Sequence, residues 1–273
     1  MIFVRDKGRM CNNMLQYGHV YAWAREHGKR TVSMRFAYKY PYFYICTTAY
    51  HNFLTYVTAK YLAKWNIIPT VSFNDINEDT TDKERMMMES RNIMVEGWCV
   101  RFYDLFIKYK QEILDLFAFK PLIAERTQTY ISSVTSETDL CLGVHIRRGD
   151  YKTWKDGLYY YEDNVYISYI QQFSSLYKDD RRISVFICGN DPTLDQNLYR
   201  KELSDMNVIF PAGSPGEDLC LLSECDYLIG APSTFSLVAA MYNDLPLCWI
   251  YNKEGILTKK NFRYFDYLFK HIE

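Results

Sequence analysis

Short apolar, β-branched runs alternate with longer amphipathic stretches along the whole chain. In the first half, residues 2–5, 31–35, 70–73 and 93–95 read as strands. Residues 12–26, stopped by Gly28, and residues 51–65 read as helices. Residues 36–50 are dense in Tyr and follow no clear period, while the polar, charged residues 74–84 read as a mobile loop. Phe102, Leu105, Phe106, Tyr109, Ile113, Leu116 and Phe117 recur at spacings of three and four, which predicts one amphipathic helix over 102–117. Pro121 suits the first position of a further helix, to about residue 132, and the polar residues 135–139 read as a hinge. In the second half, 140–148, 183–188, 208–210, 227–230 and 246–251 read as strands. Amphipathic stretches at 162–177, 217–224 and 235–242 lie between most of them. Strands alternating with helices at this spacing predict a parallel sheet with crossover helices.

At 273 residues the chain suits one large domain or two smaller ones. An apolar fraction of 48% and a charged fraction of 24% exclude disordered and low-complexity architectures. A net charge of −1 argues against a protein that coats nucleic acid, so no nucleic-acid partner is expected. The 25 Tyr and 16 Phe supply rings suited to nucleotide or sugar pockets, although most must pack in the core or on the surface. The eight cysteines show neither CxxC nor zinc-finger spacing and read as buried apolar residues of a reducing compartment, Cys141, Cys188 and Cys248 on strands. No apolar run approaches the ~20 residues of a membrane span. The first ten residues, an apolar triplet followed by charge, do not read as a signal peptide. A cytoplasmic location is the resulting expectation.

The common nucleotide and metal signatures are absent: no Walker A loop, GxGxxG, HExxH or DxD. Glu137/Asp139 and Glu224/Asp226 have a similar spacing but fall in the hinge and at a helix end. No metal is expected.

Three segments stand out. The strand over 140–148 ends in His145, Ile146, Arg147 and Arg148 and is followed by Gly149 and Asp150. Alternation points His145 and Arg147 to one face and Arg148 to the other. In an open parallel sheet, ligands bind beyond the carboxyl ends of the strands. Two arginines and a histidine there make an anion site, and a guanidinium fork suits a pyrophosphate. The same residues could instead end an edge strand in solvated charge. In the second segment, residues 217–236, a short helix leads to a buried strand and then to the turn Ser233–Thr234–Phe235–Ser236 before another helix. Ser233 or Thr234 can cap that helix, whose N-terminus would attract phosphate, or the capping can be purely structural. The third is the loop Gly8, Arg9, Met10, Cys11, Asn12, Asn13, which alone would pass for an ordinary strand-to-helix turn.

Together these segments resemble the α-1,2-fucosyltransferases that use GDP-fucose. The family's N-terminal Gly-Arg/Gly-Leu-Gly-Asn-Gln loop is similar to residues 8–13, with Cys11 in place of a glycine and Asn13 in place of Gln. Its His-x-Arg-Arg-Gly-Asp stands intact at 145–150, and its Asp-leading helix and Ser/Thr-Phe-Ser turn look like 218–226 and 233–236. Glu96–Gly97–Trp98 and the helix after it are also similar to bacterial members. Ala231–Pro232 and Leu237–Val238 depart from residues that are commonly Asn and Trp there.

The resemblance implies an α/β, GT-B-like fold of two Rossmann-like domains facing each other across a cleft: an acceptor-side domain at 1–135 and a GDP-fucose-binding domain at 136–273. It implies inverting transfer of fucose, without metal or cofactor, to the 2-hydroxyl of a terminal galactose on an oligosaccharide or lipid-linked glycan. A peripheral contact with the inner face of the membrane would go with the latter. The alternatives are a degenerate nucleotide- or glycan-binding member and a transferase that uses another nucleotide sugar. By position, Arg147 would hold the diphosphate, with His145, Arg148 and Asp150 shaping that site. Asp218 would pair with guanine, and Ser233, Thr234, Phe235 and Ser236 would line the phosphate and ribose. Gly8, Arg9, Asn12 and Asn13 would close the site from the first domain. Asp150, and less strongly Glu96, are the carboxylates placed to act as base, and aromatic side chains such as Trp98 could stack on the acceptor sugar.

Overall fold

Strands β1 (Ile2–Arg5), β2 (Thr31–Ser33), β3 (Thr70–Ser72) and β4 (Ile93–Glu96) form a parallel sheet in the order β2-β1-β4-β3. The computed structural model describes residues 1–177, 181–189 and 191–272. Helix α1 (Met10–Glu26) is buried along most of its length because it carries apolar residues all round. It packs between this sheet and helices α4 (Tyr103–Lys108) and α5 (Lys110–Leu116). Helices α2 (Phe53–Lys64) and α3 (Thr81–Glu89) complete the first unit.

The periodicity over 102–117 predicts one helix; the chain breaks it at Tyr109 (φ −105°, ψ 16°). The Tyr109 hydroxyl there donates to Glu26 at 2.7 Å. The charged segment 74–84 is not a loop throughout, since α3 begins at Thr81. Its charges have partners: Glu84 accepts from the Trp23 indole at 2.7 Å and Lys83 pairs with Glu78. A helix held by such pairs gives little apolar signal in the sequence.

The second unit contains α6 (Pro121–Val134), β5 (Leu140–Ile146), α7 (Asp163–Leu176), β6 (Ile183–Gly189), α8 (Gln196–Glu202) and β7 (Asn207–Ile209). It continues with α9 (Pro215–Ser223), β8 (Tyr227–Gly230), α10 (Thr234–Tyr242), β9 (Leu247–Trp249) and α11 (Phe265–Phe269). All strand pairs are parallel, in the order β7-β6-β5-β8-β9. This is a doubly wound sheet whose chain direction switches between β5 and β8, where such sheets bind ligands. The central strand β5 is buried at Leu142, Val144 and Ile146, within a core shared with Ile170, Phe173, Val185 and Ile229. Ser214 and Glu217 close a reciprocal capping box on α9.

The boundary between the units lies at Lys120/Pro121, not at the 135/136 hinge read from the sequence. Helix α6 packs on α9 of the second unit, and the Asn207 side chain donates to the Val134 carbonyl at 2.8 Å. Pro121 disfavours a helical residue before it and so separates α5 from α6. The residues read as a hinge are anchored too: Asp139 accepts from Ser184 and pairs with Arg182.

All eight cysteines are free thiols. Cys188 and Cys248 are buried as expected; Cys141 is only partly so.

Candidate functional site

The ligand-binding end of the second sheet is built around the tip of β5. The strand register sets His145 beside Cys188 of β6 and Gly230 of β8. Gly230 permits this approach, since a Cβ there would lie 2.8 Å from the His145 carbonyl oxygen. His145 is buried, and its ring stacks on Phe235 of α10 with centroids 4.6 Å apart and planes at 18°. Its Nδ1 has no hydrogen-bond partner among the described residues. Burial, aided by Arg147, pushes its pKa down to about 3, so the ring is neutral at physiological pH. The positive charge at this tip therefore belongs to Arg147.

Arg147 donates to Asp150 at 2.8 Å and lies over the Tyr151 ring at 5.4 Å. Its side chain is 16% exposed, and its Nε is buried without a partner among the described residues. One edge of the guanidinium is thus oriented by Asp150 while a further donor remains for a ligand. Tyr151 is fixed in turn through its hydroxyl, which donates to the Pro232 carbonyl at the start of α10.

Arg148 does something else, correcting its expected place among the ligand-binding residues. Its side chain is 4% exposed, donates to the Tyr161 carbonyl at 2.9 Å and to Asp191 at 3.0 Å, and pairs with Asp163. It is a buried tie between the end of β5 and the elements around α7. The two adjacent arginines thus divide as strand alternation predicts.

At the start of α10, the Ser233 hydroxyl accepts from the Phe235 N–H at 3.2 Å. The Ser236 hydroxyl donates to the Ser233 carbonyl at 3.1 Å and accepts from the Trp249 indole at the same distance. Both hydroxyls build the turn. What they leave facing the site is the Phe235 ring, partly exposed Thr234 and the positive end of a nine-residue helix.

Asp218, in the first turn of α9, is mostly buried, with Oδ1 unpartnered among the described residues. Burial first, and neighbouring Glu217 second, push its pKa up to about 7. Helix α9 packs on β6, the strand paired with the one that carries His145.

The first unit holds the Gly8 loop. Gly8 has φ +90°, and a Cβ would lie 2.7 Å from the Asn12 amide nitrogen. Arg9 is the extended residue before α1, which starts at Met10, two positions earlier than expected. Asn13 is fully buried, and neither atom of its amide group has a partner among the described residues. Gln16, which sequence reasoning passed over, clamps this loop: its side chain donates to the Lys7 carbonyl and accepts from the Lys7 N–H.

A second overlooked group lies at the carboxyl ends of β1 and β2. Asp6 is buried and accepts from the Ser33 hydroxyl, and the Ser33 N–H donates to His51 at 2.9 Å. Burial pushes Asp6 up to about 8. An Asp directly after a short apolar strand was the available signal.

Glu96 is poorly placed as a base. It accepts from both Arg5 and Ser72, and despite its burial these partners hold its carboxyl below the ordinary value. Trp98 has Arg101 stacked over its ring at 4.6 Å. Asp226 of the second spaced carboxylate pair accepts from the Cys141 N–H. Among the described residues there is no group of three or more His, Cys, Asp or Glu that could hold a metal ion.

Residues 1–252 match the family model described as Glycosyl transferase family 11. Galactoside 2-alpha-L-fucosyltransferase Sec1 of Mus musculus is 28% identical over 264 residues, covering 88% of this chain and 64% of its own length. Galactoside alpha-(1,2)-fucosyltransferase 2 of Gorilla gorilla gorilla is 25% identical over 255 residues, covering 85% and 66%. The chain thus spans just under two thirds of the length of these relatives. Among solved structures, a mutant of Arabidopsis thaliana FUT1 in complex with GDP has a TM-score of 0.61 at 11% identity, over 96% of this chain and 73% of that one. POFUT1 in complex with GDP-fucose has a TM-score of 0.55 at 12% identity, over 89% and 93%. The α/β, GT-B-like fold class expected from the sequence is shared with these structures.

Proposed function

The chain belongs to glycosyl transferase family 11, and on that premise we propose that it transfers fucose from GDP-fucose to a hydroxyl of a galactose-terminated acceptor. The carrying observation is the pairing at the tip of β5: a guanidinium held on one edge by Asp150, with a buried, unpartnered Nε, beside a helix N-terminus. As the bond between fucose C1 and the β-phosphate oxygen breaks, the sugar becomes oxocarbenium-like and negative charge develops on the diphosphate. Arg147 stabilises that charge more than it stabilises the bound donor. Neutral His145, stacked on Phe235, shapes the wall of the site without adding charge. Asp218, when ionised, accepts from the guanine N–H groups. Asp150 orients the fork of Arg147.

We further propose that attack comes from the opposite face of the sugar, with inversion, that no metal takes part, and that the enzyme works at the cytoplasmic face of a membrane. Family relatives named galactoside 2-alpha-L-fucosyltransferase support galactose as the acceptor. Purified protein is tested with GDP-fucose, GDP-mannose and UDP-galactose against galactose-terminated oligosaccharides, and product linkage is read by NMR. An α-1,2-fucosylated product from GDP-fucose alone is expected. Tight GDP binding with no transfer to any acceptor would favour a non-catalytic binding protein instead, a reading the altered loop at Cys11 and Asn13 supports. Preference for another donor would assign a different transferase.

A further inference from the structure

Helix α2 carries apolar residues outward. Its buried residues are Ala59 and Ala63, which pack near Met34, Ile68 and Met94. Leu54, Tyr61 and Trp65, spaced by seven and four, share the opposite face with exposures of 75%, 40% and 64%. Phe53 at one end and Ile67 just past the other are also exposed. Lys60 and Lys64 lie along one side of the helix, their ammonium groups 5.7 Å and 6.0 Å from the ring centres of Tyr56 and Tyr61. Charge in the surrounding sequence has one sign: residues 27–74 contain neither Asp nor Glu but include Lys29, Arg30, Arg35, Lys39, Lys60 and Lys64. Among the described residues no helix is long and apolar enough to cross a membrane.

We propose that this face of α2 docks on the surface of an anionic lipid bilayer, lying in the interface plane. Leucine and aromatic side chains enter the boundary between headgroups and acyl chains, and the lysines extend along their stems to lipid phosphates. A patch of contiguous exposed apolar side chains calls for a partner. Charge selects which one. Pairing with a second copy through this face would set Lys60 and Lys64 against their counterparts, with no carboxylate in the segment to offset them. An anionic bilayer meets both the apolar and the cationic character. The inference gives the membrane contact proposed above a location, and its test does not depend on transfer activity.

The test is flotation of the full chain with vesicles of phosphatidylcholine alone or with added phosphatidylglycerol. Wild type should bind the anionic vesicles at least about tenfold better than the neutral ones, and salt should weaken that binding. Lys60→Glu with Lys64→Glu should reduce anionic-vesicle binding by about tenfold or more. Leu54→Ser with Trp65→Ser should abolish it, while melting temperature and GDP affinity stay unchanged in both variants. Failure of wild type to float with anionic vesicles overturns the proposal, as does unchanged binding by either folded double variant. A wild-type dimer by light scattering that Leu54→Ser with Trp65→Ser converts to monomer would assign the face to self-association.

Discussion

Adjacent Arg147 and Arg148 should fail in different ways when truncated. Arg147 pairs with Asp150, whose side chain is 50% exposed. With Asp150 half open to solvent the pair is screened and contributes about 0–1 kcal/mol, so Arg147→Ala should move the melting temperature by no more than about 4 °C. If Arg147 carries the departing diphosphate, losing one preorganised donor lowers kcat by about 10²–10³-fold. Arg147→Lys should restore little, because an ammonium cannot hold Asp150 and present a second, fixed donor. Arg148 is the opposite case. Its truncation leaves Asp163 and Asp191, with side chains 14% and 11% exposed, without their shared cation. Breaking such a buried network costs about 3–5 kcal/mol, a fall of more than about 6 °C. The assays are initial rates on GDP-fucose, with kcat and KM determined separately, and thermal melts of the same preparations. A folded Arg147→Ala protein with kcat within about threefold of wild type would falsify the leaving-group assignment. An Arg148→Ala protein of unchanged stability would show that the buried network is not the tie described here.

Asp218 gives a pH dependence with a definite sign. Its carboxyl sits at about 7, so the form that can accept from guanine N–H groups appears as pH rises through that value. GDP affinity measured by calorimetry should rise from pH 6 to pH 8 in wild type and be flat and about tenfold or more weaker in Asp218→Asn. Affinity that falls over this range would reject the guanine contact. Asp6 titrates at about 8 when folded against 3.8 as the ordinary value. Between those values the native state holds a proton the unfolded chain has released, so wild-type stability declines as pH rises from about 4 to about 8. The melting temperature of Asp6→Asn relative to wild type should therefore climb over that window; a constant difference would contradict burial as the cause. Gly230→Ala should cost about 1–3 kcal/mol, because its Cβ would meet the His145 carbonyl at 2.8 Å. Treatment with EDTA should leave the transfer rate intact, and loss that manganese or magnesium restores would require a metal.

The second unit was the more legible half because its strands are continuous apolar runs, buried on both faces and bounded by turns. At the tip of β5 the split between Arg147 and Arg148 was legible, since period-two alternation assigns them opposite environments without any tertiary information; that Arg148 serves a buried ion-pair network and that His145 is neutral was not. Which side faces ligand and which faces a buried carboxylate pair was not legible. Asp163 and Asp191 lie far from Arg148 in sequence and converge only through β6 and α7. The unit boundary was misplaced for a related reason. Polarity at 135–139 resembles a linker, yet Asp139 is held by Ser184 and Arg182, partners that only the folded sheet supplies. In the first unit, residues 36–50 have no period because their order comes from ring contacts such as Phe36 with Phe117 and Phe43 with Phe119. The helical pattern of α2 was visible, but α2 carries apolar residues on two faces: Ala59 and Ala63, with Tyr56 and Leu62 beside them, pack inward, whereas Leu54, Tyr61 and Trp65 are exposed. Sequence periodicity reports that one face of a helix differs from the other. It does not say whether the apolar face meets the protein's own core or something outside it, and that difference is what the vesicle experiment measures.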